Sequence, residues 1–313
     1  MDIEIRALKE HELADADRVF RLAFGTFVGL PDPLSFAGDT AYVQSRWRAD
    51  PSASFAALQG GELLGSNFAT RWGSFGSFGP LSVRPHLWDR GVARKLLDAT
   101  MDRFDTWSVQ HRGLFTFAQS AKHVGLYQRY GFYPRFLTAV MSKPVASGPA
   151  ASAVEHFSAL TGEARSASLS ACRSITDAIF DGLDVSVDID AVQEQALGDT
   201  LLVSSDGTLC GFAVCHVGAH TEAGSDVCYA KFAAVRPGPI AAANFERLLD
   251  ICERFAATRG ATQLVAGVNT AREAAYRCMI ARGFRTVIQG VAMQSPNEAG
   301  YNRPDVFVID DWR

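Results

Sequence analysis

Hydrophobic and polar positions follow two spacings along the first half of the chain, one typical of helices and one of strands. Leu13, Ala16, Val19, Phe20 and Ala23 stand three or four positions apart, which predicts an amphipathic helix. Two apolar runs flank a Gly-Gly pair at 60–61, a combination typical of a β-hairpin. The complete pattern predicts strands over 3–8, 54–58, 63–70, 78–84, 114–118 and 135–142, and helices over 11–24, 39–48, 92–107 and 123–130.

The second half repeats this order of elements. Its pattern predicts a hairpin over 200–217, strands over 227–236, 263–268 and 285–293, and helices over 163–180, over 271–281 and ending near 258. Three short matches share an offset of 152 residues: Val83-Arg84-Pro85 with Val235-Arg236-Pro237, Leu96-Leu97-Asp98 with Leu248-Leu249-Asp250, and Gly131-Phe132 with Gly283-Phe284. Between the last two, Arg112-Gly113 matches Arg259-Gly260 at 147, which predicts a slip of register that is later recovered. The sequence therefore predicts two tandem copies of one fold.

The boundary between the copies is predicted in a nearly uncharged segment rich in Pro, Gly, Ser and Ala, the linker 144–152. It separates a first domain, residues 1–143, from a second domain, residues 153–313. Up to Ser147, 17 Lys and Arg residues stand against 14 Asp and Glu, and after it 13 stand against 20. All six cysteines follow this boundary without a Cys-x-x-Cys pair, so we expect buried reduced thiols and no metal site.

Composition excludes several classes of protein. The chain has 313 residues, of which 48% are hydrophobic and 20% charged, as in an ordinary globular protein. Its net charge of −4 argues against a general affinity for nucleic acid or anionic lipid. No apolar run approaches the roughly 18 residues of a membrane span, and the N-terminus lacks the pattern of a signal peptide. We therefore expect a cytoplasmic protein with neither nucleic acid nor membrane as a partner.

Residues 81–97 combine a strand, a short loop and a helix that begins at Gly91. Free backbone N–H groups and the helix dipole make such a helix start a binding site for an anion. Gly91 and Ala93 leave room for phosphate oxygens, whereas Arg94 and Lys95 oppose the dipole unless an anion is bound. This conflict favours a phosphate site, and the alternative is a plain strand-to-helix turn with two solvated basic side chains.

Two segments resemble motifs of the GCN5-related N-acetyltransferase (GNAT) superfamily. Residues 83–97 resemble motif A, Arg/Gln-x-x-Gly-x-Gly/Ala, with Gly91 and Ala93 at its last two fixed places and Trp88 where Arg or Gln is usual. Residues 126–132 resemble the Leu-Tyr-x-x-x-Gly-Phe of motif B, and Ser120 stands where Asn is common. The resemblance implies an α/β protein (an α+β mixed sheet) with two tandem acetyltransferase-like domains, each a mostly antiparallel twisted sheet flanked by helices.

The resemblance also implies acetyl-CoA, or another acyl-CoA, as co-substrate. Its pantetheine arm would add to the backbone of Leu81, Ser82 and Val83 like an extra strand. Its pyrophosphate would lie on the amides from Arg90 to Arg94. The residues expected to contact acetyl-CoA are Leu81, Ser82, Val83, Trp88, Asp89, Arg90, Gly91, Val92, Ala93, Arg94, Lys95, Ser120 and Tyr127.

Tyr127 occupies the position of the family's tyrosine that protonates the departing thiolate. A phenol with an ordinary pKa of ~10 is protonated at neutral pH and can act in this way. The alternative for Tyr127 is a role in packing only. The N–H of Val83 would polarise the thioester carbonyl. Glu62 and Asp89 are candidate bases by location only, and a chain of water molecules is an equal alternative. Because no cysteine lies in the first copy, we expect direct attack in a ternary complex rather than an acyl-enzyme.

Comparison of the copies at an offset of 152 predicts that the second is a degenerate acetyltransferase-like domain. Phe245 stands in place of Ala93, where it would fill the space of a phosphate, and Glu246 in place of Arg94 would repel one. Met279 replaces Tyr127 and cannot donate a proton. Three roles stay open to this copy: buttressing the fold, walling the acceptor pocket, or forming a homodimer.

Two further segments bear on the acceptor. The apolar loop 27–36 lies where the family shapes its acceptor pocket, and Asp32 is a candidate partner for an ammonium group, with simple loop packing as the alternative. The tail, residues 301–313, carries large apolar residues that predict docking, and its terminal carboxylate is a further candidate base.

Together these observations predict an N-acetyltransferase that moves acetyl from acetyl-CoA to a primary amine of a small molecule. A non-catalytic acyl-CoA sensor or scaffold, and a protein or peptide N-acetyltransferase, are the alternatives.

Overall fold

The computed structural model describes residues 3–145 and 154–313, in which the two halves follow the same order of elements. The strands of the first half are β1 (Glu4–Ala7), β2 (Ser54–Gln59), β3 (Glu62–Trp72), β4 (Phe75–Phe78), β5 (Ser82–Val83), β6 (His111–Thr116) and β7 (Tyr133–Pro144). Its helices are α1 (Leu13–Val28), α2 (Tyr42–Ala49), α3 (Val92–Thr106) and α4 (Ala121–Gln128). Apart from Pro144 and Val145, the predicted linker lies outside the described residues.

The second half has the same order of helices and strands, except that β11 stands in place of β4 and β5 and that β14 follows the last matching strand. Its strands are β8 (Glu155–His156), β9 (Gly198–Ser205), β10 (Thr208–Gly218), β11 (Gly224–Val235), β12 (Gln263–Asn269), β13 (Arg285–Ser295) and β14 (Val308–Ile309). Its helices are α5 (Gly162–Ile179), α6 (Ser186–Glu194), α7 (Ala241–Thr258) and α8 (Glu273–Ala281). Among the helices of the described ranges, none has both the length and the apolar character needed to cross a membrane.

The strands of the described residues form one 14-stranded sheet with the order β1-β2-β3-β4-β6-β13-β7-β12-β11-β10-β9-β8, in which β5 pairs with β3 and β14 with β11. The pairs β4–β6 and β11–β12 are parallel and the others antiparallel, which confirms a mixed, mostly antiparallel sheet. The last strands of the two halves have exchanged places. β13 pairs with β6 of the first half, and β7 pairs with β12 of the second. Each half therefore needs the other to complete its sheet.

Helices cover both faces of the sheet. In β2, Ala56 and Leu58 pack with residues of α1 and α2, whereas Phe55 and Ala57 pack with residues of α3 and with Tyr127 of α4. Successive side chains of a strand point to opposite faces, so α1 and α2 lie on one face and α3 and α4 on the other. Tyr127 thus reaches the sheet from the face that carries α3.

The offset of 152 residues holds without interruption through the later elements. β6 and β12, α4 and α8, and β7 and β13 each begin 152 residues apart. The predicted slip of register is wrong, because Arg112 and Gly113 lie within β6 whereas Arg259 and Gly260 precede β12. A short match of two common residues is thus no guide to structural equivalence.

Several elements differ from the predicted pattern, among them the short strands β8 and β14, which were not predicted. The strand predicted over 78–84 is interrupted, since β4 ends at Phe78 and β5 begins at Ser82. Gly79 has a φ of 144°, and Pro80 has no N–H to donate, so the ladder cannot continue through them. The helix α6 was not predicted, because Val187 and Ile189 alternate with aspartates and the period of two is typical of a strand.

Candidate functional site

The sheet opens between β4 and β6 of the first half. These strands pair in parallel from Phe75–His111 to Ser77–Gly113, and the described pairing ends there. Beyond this point β5 stays beside β3, where the N–H of Arg84 donates to the carbonyl of Leu64 (2.9 Å). In this register the N–H and C=O of Val83 point away from β3 and into the opening. We call this opening, between β5 and β6, the first groove.

Val83 and Trp88 define one wall of the first groove. The carbonyl of Val83 accepts a hydrogen bond from Nε1 of Trp88 (2.8 Å), whereas its N–H has no side-chain or loop acceptor within the described ranges. Trp88 thus ties the loop to the strand. Lys122 of α4 lies 5.4 Å from the Trp88 ring centroid and forms an ion pair with Asp89 (2.8 Å). The contact between Lys122 and Asp89 joins the loop before α3 to the start of α4.

The start of α3 presents free backbone amides. Gly91, which precedes the helix, has a φ of 85°, a conformation that favours glycine, and a Cβ placed there would meet nothing within 4 Å. The N–H of Lys95 bonds back to Gly91 (3.3 Å), but within the described residues no acceptor is present for the amides of residues 91–94. Arg94 and Lys95 are exposed beside them. The amides at this helix start thus lack a protein acceptor, an arrangement that suits an anion, and the binding of a phosphate there stays a prediction.

The helix α4 carries Tyr127 to the end of β4. Ser120 caps this helix by accepting a hydrogen bond from the N–H of His123 (3.4 Å). Tyr127 is buried, and its ring lies 5.7 Å from that of Phe78, the last residue of β4. Its hydroxyl has no hydrogen-bond partner in the described part of the chain, and burial raises the pKa of this phenol well above its ordinary value. Tyr127 is therefore protonated at neutral pH and free to donate.

The carboxylates predicted near the site already have partners. Oε1 of the exposed Glu62 lies 3.5 Å from Nε of Arg84, and Asp89 forms an ion pair with Lys122. Asp32 accepts a hydrogen bond from the N–H of Leu34 (3.1 Å) and so caps a turn in the loop after α1. The structure thus brings Val83, Trp88 and the amides of 91–94 together, but it gives these three carboxylates local roles.

His123 is a titratable residue close to Tyr127 in the sequence that the sequence analysis did not consider. This residue lies one helical turn before Tyr127, and its ring is 4.8 Å from that of Phe27 at the end of α1. Burial, with the charge of Lys122 as a second cause, lowers the pKa of His123 and keeps its imidazole neutral at pH 7. The spacing of four from Tyr127 was the signal that places both residues on one face of α4.

The second half has a matching groove between β11 and β12, and the tail fills it. The N–H of Arg236 donates to Cys210 (2.8 Å) as that of Arg84 does to Leu64, so the N–H of Val235 also points into its groove. There it donates to the carbonyl of Phe307 (3.2 Å). β14 continues antiparallel to β11, with Val308 opposite Ala234 and Ile309 opposite Ala233. The predicted docking of the tail is confirmed.

The helix start of the second groove is also closed. α7 begins at Ala241, three residues before Asn244, the position that matches Val92, and the N–H of Asn244 donates to Ile240 (3.0 Å). The rings of Phe245 and Phe307 lie 5.3 Å apart. Arg272, at the position of Ser120, is fully buried and donates to the carbonyl of Val308 (3.0 Å) and to Asp310 (2.8 Å). Tail residues thus lie over the matching positions of this groove.

The second half also holds the loop between α1 and α2. The N–H of Ala41 donates to the carbonyl of Thr221 (2.9 Å), and Asp39 accepts a hydrogen bond from the N–H of Ser225 (2.9 Å). Two cavities of about 50 and 20 Å³ lie elsewhere between the halves, and Arg46, Thr70 and Lys231 line both of them. They have room for only a few water molecules.

Comparisons with known proteins agree with this geometry. Residues 17–132 match the model of the acetyltransferase (GNAT) family, so the chain contains an acyltransferase domain of that family. No curated protein matches the chain.

Solved structures share the fold over almost the full length. A candidate acetyltransferase from Pyrococcus horikoshii is 14% identical, with a TM-score of 0.69 and coverage of 99% of this chain and 95% of that chain. A GCN5-related N-acetyltransferase from Sphaerobacter thermophilus is also 14% identical, with a TM-score of 0.60 and coverage of 94% and 95%. One from Anabaena variabilis is 11% identical, with a TM-score of 0.52 and coverage of 94% and 72%. At these identities the likeness shows the two-copy acetyltransferase fold.

Proposed function

We propose that the first copy binds acetyl-CoA and transfers its acetyl group to a primary amine of a small molecule, and that the second copy binds no acyl-CoA. The contrast between Val83 and Val235 carries this proposal. Both N–H groups point into a groove, but that of Val235 donates to Phe307 and that of Val83 is left for a ligand. A backbone donor in a groove needs an acceptor. An extended ligand that lies along 81–83, as β14 lies along β11, supplies it.

The rest of the first groove suits the other parts of coenzyme A. The free amides of residues 91–94 offer a seat for the pyrophosphate, with Arg94 and Lys95 adding positive charge beside it. Trp88 fixes the loop that carries this seat through its bond to Val83.

The residues of the first groove have complementary tasks in acyl transfer. Acetyl-CoA, when bound, supplies a thioester whose carbonyl carbon is open to attack by an amine. The N–H of Val83 polarises that carbonyl, and Tyr127 holds the proton that the departing sulfur needs. No cysteine is present in residues 1–143, so the acetyl group passes directly to the amine in a ternary complex. Since Glu62 and Asp89 have ion-pair partners, we assign removal of the amine proton to water.

The acceptor reaches the thioester from the side of the α1–α2 loop, which the second copy holds through Thr221 and Ser225. Val28 and Leu34 in this region are 43% and 37% exposed, which favours an acceptor with an apolar part. The second copy thus forms one wall of the acceptor pocket and does not bind a second acyl-CoA.

Calorimetric titration of acetyl-CoA, together with release of the CoA thiol in the presence of a panel of primary amines, tests the proposal. We expect one site per chain in the wild type and none in Ala93→Phe, whose ring would cover the seat of the pyrophosphate. Ala243→Phe is the matched control, because it adds the same ring to an exposed position in the first turn of α7 and should leave binding unchanged.

The outcomes separate the alternatives. Thiol release with a small amine supports the transferase, and release with peptide amines alone would shift the acceptor to proteins. Binding without release for any amine would replace the enzyme by a sensor. Two sites in the wild type, or one site that is still present in Ala93→Phe, would mean that the second groove binds acetyl-CoA.

A further inference from the structure

A buried guanidinium group joins the two halves beside the first groove. Arg46 of α2 donates from Nη1 to the carbonyl of Gly79 (2.7 Å) and from Nη2 to the backbone oxygen of Arg313. It also forms a two-point ion pair with Glu222 of the second half (Nε–Oε1 3.2 Å, Nη2–Oε2 3.1 Å). The Arg46 side chain is 10% exposed and that of Glu222 0%, so each charge depends on its protein partners.

Gly79 is the residue at which the first groove begins. Residues 79–81 lie opposite only residues 67–68 of β3, between the pairs Phe78–Ala69 and Ser82–Ser66. Such an extra residue is a β-bulge, which bends its strand and redirects the residues that follow. The direction of the Val83 N–H, four residues later, therefore depends on the backbone at Gly79.

The second half has the same bulge at Lys231. This residue lies 152 positions after Gly79 and is unpaired between Ala230–Cys215 and Phe232–Val214. Its ammonium group contacts Glu222 (2.8 Å) and Asp188 (3.1 Å). Although burial alone would raise the pKa of Glu222, Arg46 and Lys231 hold it well below its usual range. Glu222 thus connects the two bulges, one through Lys231 and the other through Arg46.

We propose that Arg46 and Glu222 are positioning residues for acetyl transfer in the first copy, so that the second copy contributes to the reaction without binding acetyl-CoA. Arg46 holds the Gly79 carbonyl, and with it the direction in which the Val83 N–H meets the thioester. Glu222 holds Arg46. This inference rests on the proposed function, because it assigns the pair to the reaction in the first groove.

Steady-state kinetics, calorimetry and thermal unfolding of Arg46→Gln, Glu222→Gln and the double variant test the assignment. Glu222→Gln leaves the buried Arg46 without its carboxylate partner, and Arg46→Gln leaves Glu222 with Lys231 as its remaining cation, so we expect the melting temperature to fall in both. We expect kcat to fall roughly 10- to 100-fold, since a misplacement of about 1 Å at the reacting atoms has an effect of this size. The Kd of acetyl-CoA should rise far less than kcat falls, because the amides of residues 91–94 are untouched.

The double variant separates positioning from stability. It has no unpaired charge in the Arg46–Glu222 pair, so its melting temperature should recover, whereas kcat should stay low because a glutamine side chain is too short to bridge to Gly79. Arg282→Gln is the control, since it removes contacts with Asp250 and Glu253 in the second half and should change the melting temperature alone. Should the neutral variants not fold, Arg46→Lys keeps a cation beside Glu222 and should show low kcat at a near-normal melting temperature.

Wild-type kcat in the single variants, or kcat that recovers together with the melting temperature in the double variant, would overturn the positioning role. Absence of turnover in the wild type would instead overturn the proposed function, so the two failures are distinguishable.

Discussion

Gly267 of β12 lies directly beneath Asp311 of the tail, so that a Cβ added to Gly267 would overlap the Asp311 side chain. Asp311 accepts a hydrogen bond from the hydroxyl of Tyr229 on β11 (3.0 Å). The next residue, Trp312, lies against Phe75 of β4, with ring centroids 4.9 Å apart. The glycine therefore lets the tail cross from the second half to the first.

Gly267→Ala should displace the tail. We expect the free energy of unfolding to fall by about 1–3 kcal/mol, the usual cost of an added group in a filled space, and the tail to become sensitive to subtilisin. Chemical denaturation and timed proteolysis measure the two effects. In the control Gly125→Ala, the new methyl group has no neighbour within 4 Å in α4 and should give stability equal to or slightly above the wild type. A Gly267→Ala protein as stable and protected as the wild type would contradict the tail's position.

Tyr127→Phe should remove the proton donor and leave the groove intact. We expect kcat to fall about 100-fold or more, the range for loss of a general acid, with acetyl-CoA binding unchanged in calorimetry. Tyr130→Phe is the matched control, because its hydroxyl lies 2.7 Å from Asp98 and 2.9 Å from the carbonyl of Arg94, which share its single proton, and so has a structural role. Full activity of Tyr127→Phe across the pH range would assign the proton to another group.

His216 should make the protein less stable in acid. Burial, followed by the charge of Lys231, lowers the pKa of His216 to about 4, and its Nδ1 accepts the N–H of Glu222 (3.4 Å). The unfolded chain takes up the proton near pH 6.5, so the stability that the neutral ring contributes is present above that pH and is lost as the pH falls toward 4. The loss reaches about 3 kcal/mol.

The comparison that isolates this effect is His216→Gln. Urea unfolding at a series of pH values should show a shallower decline between pH 6.5 and 4 for the variant than for the wild type. Parallel declines would show that the His216 ring takes up its proton equally in the folded and unfolded states.

The local elements of the fold could be predicted because each has its own period or turn residues. The Gly-Gly hairpin and the 152-residue offset are examples. The exchange of β7 and β13 could not, since an apolar pattern identifies a strand but not its neighbour. β14 could not be predicted either, because a strand of two residues shows no hydrophobic period and pairs only through tertiary contacts.

Part of the candidate site could likewise be predicted from the sequence, and part could not. The amides of residues 91–94 belong to one continuous segment, so the sequence 83–97 was enough to predict their arrangement. Arg46 and Glu222 are separated by 176 positions and meet only after the two halves have assembled. A charged residue in a helix and another in a hairpin give no local signal of that contact. The filled second groove was predicted as degenerate from Phe245 and Met279, but the role of Phe307 needed the fold.

The exchanged strands also set the order in which this protein can fold during synthesis. β13 occupies the place between β6 and β7, so the sheet of the first half has a gap until residues 285–295 have left the ribosome. At translation rates of about 5–20 residues per second, the wait after β7 is of the order of ten seconds. During it, β6 and β7 carry unpaired edges that invite wrong partners. The first groove, although nearer the N-terminus, is thus completed late, once β13 has been synthesised.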